Sequence, residues 1–249
     1  MNIFSFLYQE VLYRPLFNAL VFLTAFLPGH DVGLAIILLT LLVRFILLPL
    51  SHKSLTTQIK LKKLEPEIKK IRDGSKDKTD EGRKTMELYR EHGVSPFSGC
   101  FTLLIQLPIL IALYQVFWRG VSFSGVELYP FISRPDFFQI QLFGFLDLAG
   151  RSWVLAAVAA LSQFLQIRLA LPSIPKGGGG MQEEFSRAFA IQSRYILPLV
   201  IFYISLRLPA ALSLYWTVTN IFGIVHEGLV KYRAGNVYGV GRGENKGNN

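Results

Sequence analysis

Arg44 sits inside LLTLLVRFILLPL (Leu38 to Leu50), part of an otherwise charge-free apolar run that begins at Val32 and is long enough to cross a bilayer. At the centre of such a helix an arginine costs roughly 2.5 to 3.5 kcal/mol on insertion scales, so it is rarely kept without a use. It points to a watery or anionic site inside the membrane.

The rest of the chain agrees with a membrane setting. Apolar residues make up 51% of the 249, which fits an all-α integral membrane protein whose apolar surface is covered mainly by lipid. Four stretches reach across ~30 Å of hydrocarbon: Val32 to Leu50, Phe97 to Trp118, Ser152 to Leu171 and Ala211 to Val230. A fifth and weaker one, Ala188 to Leu206, is apolar only from Ile196 onward. The expected organisation is one membrane domain, residues 1–233, with five transmembrane helices and a disordered cytoplasmic tail, 234–249.

Basic residues set the orientation, because Lys and Arg gather on the cytoplasmic side. The loop from Ser51 to Ser95 holds 12 of them, residues 168–194 hold 4 and the tail from Lys231 holds 4, against 5 in all on the opposite side. The N-terminus is therefore expected outside and the C-terminus in the cytoplasm. This asymmetry also accounts for the net charge of +9 without nucleic acid as a partner. A lone Cys100 excludes an internal disulfide, the four His residues show no metal-ligand spacing, and no cofactor or metal is expected. Nor is a cleaved targeting segment, since the N-terminus lacks a basic region and a small-residue cleavage site.

Ahead of the first span, Phe4, Leu7, Tyr8, Val11 and Leu12 form an amphipathic stripe that Pro15 interrupts, and Leu16 to Leu27 is too short to span. Residues 2–27 read as an N-terminal interfacial helix on the outer face. The soluble piece, residues 51–95, reads as a cytoplasmic helical hairpin. Leu61, Leu64, Ile68 and Ile71 repeat at helical spacing, Asp73-Gly74-Ser75 turns, and Glu81 to His92 carries Met86 and Tyr89 on one stripe; Pro66 should kink the first arm unless it begins a fresh helix. The hairpin is either a solvated helix pair or a docking surface for lipid headgroups, ribosome or nascent chain. Pro172 to Gly180 reads as a flexible linker.

Within the spans, Thr40 and Arg44 share a face, as do Ser162, Gln163 and Gln166, and Ser213, Trp216, Thr217 and Asn220. Each such group can serve merely as a helix-packing hydrogen bond, worth about 0.6 kcal/mol on average. Together with an Arg lacking an intramembrane acid at its depth, they favour a hydrated cavity. Leu38 and Ile201 read as lipid-facing. Asp31 and Glu10 lie outside the spans, while Asp147 and Glu227 lie near span ends. The chain therefore lacks the intramembrane carboxylates that ion-coupled transporters use. It also shows no nucleophile-base pair and no His-Glu-x-x-His, so no enzymatic activity is expected.

Three stretches resemble the YidC-type membrane protein insertases of bacteria, relatives of the Oxa-type insertases of mitochondria and chloroplasts: GLAIILLTLLVRFILLPL (Gly33 to Leu50), EHGVSPFSGCFTLLIQLPILIALY (Glu91 to Tyr114) and LPAALSLYWTVTNIFGIV (Leu208 to Val225). In the second, Pro96, Gly99, Cys100, Gln106 and Pro108 stand at the family's spacing. The resemblance covers roughly residues 1–233 and implies a lipid-open, cytoplasm-open hydrophilic groove around Arg44. It implies substrate contacts at Thr40 and at Trp216 beside Tyr215, with Thr217 on the same wall and Gln163 or Gln166 from the third span. Ser95, Thr102 and His226-Glu227 depart from the family pattern at cytoplasmic helix ends, and the large extracytoplasmic domain of some relatives is absent.

The function this implies is an insertase and chaperone of the bacterial cell membrane, acting as a monomer. It would pass short extracytoplasmic segments of client proteins through the groove and release their helices into lipid. Its partners would be nascent membrane proteins and the lipid bilayer, with the ribosome and the Sec translocon added on the resemblance alone. The alternative is a small-solute or ion transporter using the same Arg, for which the sequence shows no inverted repeat.

Overall fold

The computed structural model describes residues 3–75, 77–95, 106–116, 128–133, 135–170, 188 and 190–238, and the chain is mostly helical over them. Two compact units emerge: Met1–Ile46 with Leu107–Gly228, and Leu47–Gln106 with Leu229–Asn249.

In the first unit, Pro15 does not end the N-terminal helix. Helix α1 (Ile3–Leu7) widens into a π-helical turn at Tyr8–Tyr13 and continues as α2 (Arg14–Phe26), with Pro15 in its first turn. A proline lacks an N–H and crowds the carbonyl four residues back; a wider turn just ahead of it relieves that crowding. Leu197–Ser205 is entered the same way, through a π-helical turn at Gln192–Ile196 just before Pro198. Residues 3–11 are mostly exposed, whereas Phe17, Leu20 and Val21 of α2 are buried where it packs on α3 (Val32–Ile46). The segment expected to lie flat, residues 2–27, is thus anchored through its second half.

Helix α3 closes at Ile46, four residues short of the expected Leu50, and α4 (Leu48–Gly74) starts after Leu47. The cause is legible in Pro49, which favours the first turn of a new helix. Helix α6 (Gln106–Val116), which follows α5 of the second unit (Lys78–Glu91), begins at two of the motif residues, Gln106 and Pro108; Pro96, Gly99, Cys100 and Thr102 lie outside the described residues. Helix α7 (Trp153–Ala170) packs most extensively against α8 (Leu197–Ser205). That packing buries Ile201 to 6% exposure, so it does not face lipid, while Leu38 is 41% exposed. Helix α9 (Ala210–Tyr238) runs five residues into the segment expected to be a disordered tail. The linker 172–180 and residues 239–249 are outside the described residues.

Among the described residues, α7 alone is an unbroken helix long and apolar enough to cross a membrane. Helix α3, at 15 residues, covers only ~22 Å.

The all-α expectation misses a small hairpin. Strands β1 (Gln141–Leu142) and β2 (Leu146–Asp147) pair antiparallel about a turn in which Phe143 and Gly144 both have positive φ, 54° and 77°. That is the backbone of a type I′ turn, which matches the strands' twist. Asp31 anchors it: one carboxylate oxygen accepts the Leu34 N–H at 2.9 Å and caps α3, the other accepts the Phe143 N–H at 2.8 Å. Leu142 lies so close to α3 that a Cβ on Gly33 would fall 2.7 Å from it. The same loop caps α9, since the Ala210 and Ala211 N–H groups donate to the carbonyls of Gly150 (2.8 Å) and Leu148 (3.1 Å). Further back, Asn18 accepts the Tyr129 N–H at 2.8 Å, and the Arg14 guanidinium lies 5.2 Å over the Tyr129 ring.

In the second unit α4 and α5 pack side by side around Leu64, Leu88 and Val94, with Leu61, Ile68, Ile71 and Tyr89 against them. Helix α4 runs through Pro66 without ending. Asp77 caps α5 by accepting the Asp80 N–H at 2.7 Å. Met86 is not on the inner stripe and is 43% exposed. Two residues turn a helix by about 200°, so Met86 stands opposite the inward Leu88, with Tyr89 at the edge.

Candidate functional site around Arg44

The inner face of α3 is formed by Ala35, Ile36, Leu39 and Thr40, all buried; Leu38, Leu42, Phe45 and Ile46 on the outer face are exposed. Arg44 lies between the faces, half-buried. Its guanidinium hydrogen-bonds the side chain of Tyr215 on α9, a residue exposed to only 2%. A phenol accepts one of the five guanidinium N–H bonds and brings no negative charge, so the cation is oriented and not neutralised. Among the described residues no carboxylate pairs with it. On the flank, Phe45 meets Phe222 edge-to-face at 5.4 Å, which adds a second α3–α9 contact.

The other sequence candidates divide by what they touch. Thr40, 1% exposed, donates its hydroxyl to the Ile36 carbonyl at 2.7 Å, and Thr217 donates to the Ser213 carbonyl at 2.8 Å. Thr40 lies about one helical turn from Arg44 and Thr217 about half a turn from Tyr215 on their own helices, and Trp216 is half-buried. Asn220 donates to the Ser162 hydroxyl at 3.0 Å and to the Ala159 carbonyl at 3.3 Å, in a buried contact between α7 and α9. This pair serves helix packing.

The two glutamines of α7 differ in the same way. Gln166 donates to Glu227 at 3.4 Å, and its side chain lies over Gly223, where a Cβ would come within 2.7 Å of its amide nitrogen. It is bound to α9. Gln163 is half-buried and not engaged with α9 in this way. The sequence reading places Tyr215 with Trp216 among the groove residues without a partner for it, and Glu227 only near a span end; the structure makes Tyr215 the residue that holds Arg44 and Glu227 the acceptor for Gln166. An intramembrane Tyr carries no sequence mark that separates an interior hydrogen bond from an interfacial anchor. Glu227, in a position where the family pattern has another residue, is the one available flag. Among the described residues no cluster of His, Cys, Asp and Glu is arranged to hold a metal ion.

These features define a helical membrane protein with an oriented, uncompensated cation on the flank of its first apolar helix. The sequence pattern of the family described as 60Kd inner membrane protein matches residues 22–236. The membrane protein insertase MisCA of Bacillus subtilis (strain 168) is 33% identical over 221 residues, covering 86% of this chain and 76% of its own length. The membrane protein insertase YidC 2 of Bacillus anthracis is 33% identical over 230 residues, covering 90% and 81%. A crystal structure of an active YidC insertase with its first transmembrane domain resolved shares the fold, with a TM-score of 0.51 at 24% identity over 90% of this chain and 46% of that one. The chain belongs to the 60Kd inner membrane protein family, that of the YidC- and Oxa-type membrane protein insertases. The family is one of bacterial inner-membrane proteins that act as insertases and not as classical enzymes, and nothing in these comparisons favours a transporter.

Proposed function

We propose that the chain is a membrane protein insertase and chaperone in which Arg44, held by Tyr215, receives the acidic residues of a client's short extracytoplasmic segment. The observation that carries this reading is the neutral partner. A guanidinium in a low-dielectric setting attracts a passing carboxylate strongly, and Tyr215 leaves both its charge and most of its donors for that purpose. Thr40, Gln163, Trp216 and Thr217 form the walls of the groove and Gln166 its α7–α9 support. The client helix then leaves sideways, driven by burial of about 20 apolar residues in lipid.

In this reading the five apolar stretches span the bilayer, with the N-terminus outside and the C-terminus and the α4–α5 hairpin in the cytoplasm. The distribution of basic residues supports it. Nascent membrane proteins and lipid are the partners; the ribosome and the Sec translocon join them by family analogy, and the working unit is a monomer. The test is reconstitution into protein-free liposomes with a small single-span client carrying an acidic tail, scored by protease protection. Wild type should insert the client, Arg44→Lys should retain part of the activity because charge matters more than the planar fork, and Arg44→Ala should lose it. Equal insertion by wild type and Arg44→Ala at equal protein levels would sink the proposal.

A further inference from the structure

The second unit contains a pocket of about 360 Å³ that the groove does not use, lined by Thr56, Ile59, Lys60, Lys63 and Leu64 of α4, His92 just past α5, and Val230 of α9. Its chemistry is split. Lys60 and Lys63 bring two ammonium groups, each with three N–H donors. His92 presents Nδ1 to the Leu88 carbonyl at 3.0 Å; a carbonyl only accepts, so Nδ1 carries the proton, and Nε2 of the neutral ring is an acceptor that leaves the binding of an anion to the two lysines. Thr56 spends its hydroxyl proton on the His52 carbonyl at 2.8 Å and supplies no donor. Ile59, Leu64 and Val230 make the remaining wall apolar. Such a pocket selects an anion that carries hydrocarbon.

Size and place narrow the choice. At the low end of the roughly 300 to 1,000 Å³ typical of small-molecule sites, it admits a headgroup and the first methylenes of a chain, and not a whole lipid. Val230 ends the last apolar stretch of the sequence, and the next three residues are Lys231, exposed Tyr232 and exposed Arg233. A Tyr flanked by basic residues at a span's end is the pattern of the lipid headgroup level. We propose that this pocket binds the phosphate of an anionic phospholipid in the leaflet that α9 leaves at Val230, with Ile59, Leu64 and Val230 against its first methylenes. Basic pockets at this depth hold anionic headgroups through the same chemistry. The proposal needs the membrane setting of α9 and is independent of the insertase reading.

The full-length protein, purified in neutral detergent, is titrated with phosphatidylglycerol, phosphatidylcholine or inorganic phosphate, and bound lipid is counted by native mass spectrometry. Wild type should retain phosphatidylglycerol in preference to phosphatidylcholine. Lys60→Gln with Lys63→Gln should weaken that retention about tenfold, whereas Lys69→Gln with Lys70→Gln, which removes the same charge from exposed positions outside the pocket, should leave it nearly unchanged. Val230→Phe, which fills the pocket without altering charge, should weaken retention as the first pair does. Equal losses from the two lysine pairs would overturn the proposal in favour of diffuse surface attraction. Equal retention of the two lipids would overturn it as well. Inorganic phosphate displacing the lipid with the same dependence on Lys60 and Lys63 would move the site to a soluble anion and overturn the lipid assignment, and displacement by a short RNA would do so in favour of a nucleic-acid contact.

Discussion

The two ends of α3 each carry a charge that the interior holds back from water, and they are handled in opposite ways. At the N-terminal end Asp31, 5% exposed, has both oxygens taken by fixed backbone donors, Leu34 and Phe143. Near the C-terminal end Arg44, half-buried, has among the described residues one neutral acceptor, Tyr215. A saturated charge can only hold structure together, since any new partner must displace an existing one at a cost of about 1 to 3 kcal/mol per orphaned group. An oriented but unsaturated charge keeps the capacity to bind. The contrast separates a structural site from the proposed functional one on the same helix.

The sharpest way to break this comparison is to remove each charge in turn. Arg44→Ala should reduce insertion of an acidic-tailed client by an order of magnitude or more while the thermal midpoint in detergent stays near wild type, as expected when a costly intramembrane charge is removed. Asp31→Ala should do the reverse, losing about 2 to 3 kcal/mol from the cap and the orphaned Phe143 N–H while insertion per folded molecule survives. If both variants lose insertion at unchanged stability, the division between the two ends is wrong.

Gly33→Ala probes the structural end without touching charge. The added Cβ would meet Leu142 at 2.7 Å, backbone as well as side chain being close, so the hairpin must shift and stability should fall by about 1 to 3 kcal/mol. Unchanged unfolding and unchanged hydrogen exchange at Phe143 would show that the hairpin does not depend on this approach.

At the functional end, cysteine labelling distinguishes the two glutamines. In a Cys100→Ala background, Gln163→Cys should react with a membrane-impermeant thiol reagent added from the cytoplasmic side, because alkylation needs water and a thiolate. Gln166→Cys should react more slowly under Gly223 and α9. Leu199, 67% exposed on α8, replaces the buried Ile201 as the lipid-facing control. Equal rates at 163 and 166 would remove the distinction. Tyr215→Phe should have a smaller effect: the charge remains but loses its one acceptor, so insertion should fall severalfold, less than in Arg44→Ala. Loss of one hydrogen bond to a charged group should cost about 1.5 to 3 kcal/mol of stability.

How much of this was legible in the sequence follows the same division. Arg44 stands out because a charge in an apolar run is costly wherever the chain folds, and the α4 stripe from Leu61 to Ile71 stands out because helical period is local. Asp31 does not: its partner Phe143 is 112 residues away, and no local pattern links a loop acid to a later turn. Tyr215 is named by the family resemblance, but its pairing with Arg44 is not readable until α3 lies beside α9. The break at Leu47 was available in Pro49, which hydropathy alone overrides. The assignment of Met86 to the inner stripe failed for want of phase, since spacing from Tyr89 gives the period of α5 but Leu88 gives its inward direction.

The smallest expected effect lies in the hairpin, where neither Arg44 nor Asp31 acts. Burial, reinforced by the nearby Glu65 carboxylate, raises the Tyr89 phenol above its ordinary value of about 10. Both causes disfavour the phenolate, so the folded state holds the proton more tightly than the unfolded chain. The resulting stabilisation is fully present below the ordinary tyrosine pKa and is lost as pH rises through the raised one. Hydrogen exchange at α4 and α5 amides should therefore show protection, corrected for intrinsic rates, declining above about pH 10 while α7 changes less. Tyr89→Phe should flatten that decline, and Glu65→Gln should shrink it, because the decline begins at the unfolded value and ends at the folded one, which losing one cause brings closer. A decline of the same size in Tyr89→Phe would assign it to the lysines of the hairpin instead, and Tyr89 would then have no part in its pH response.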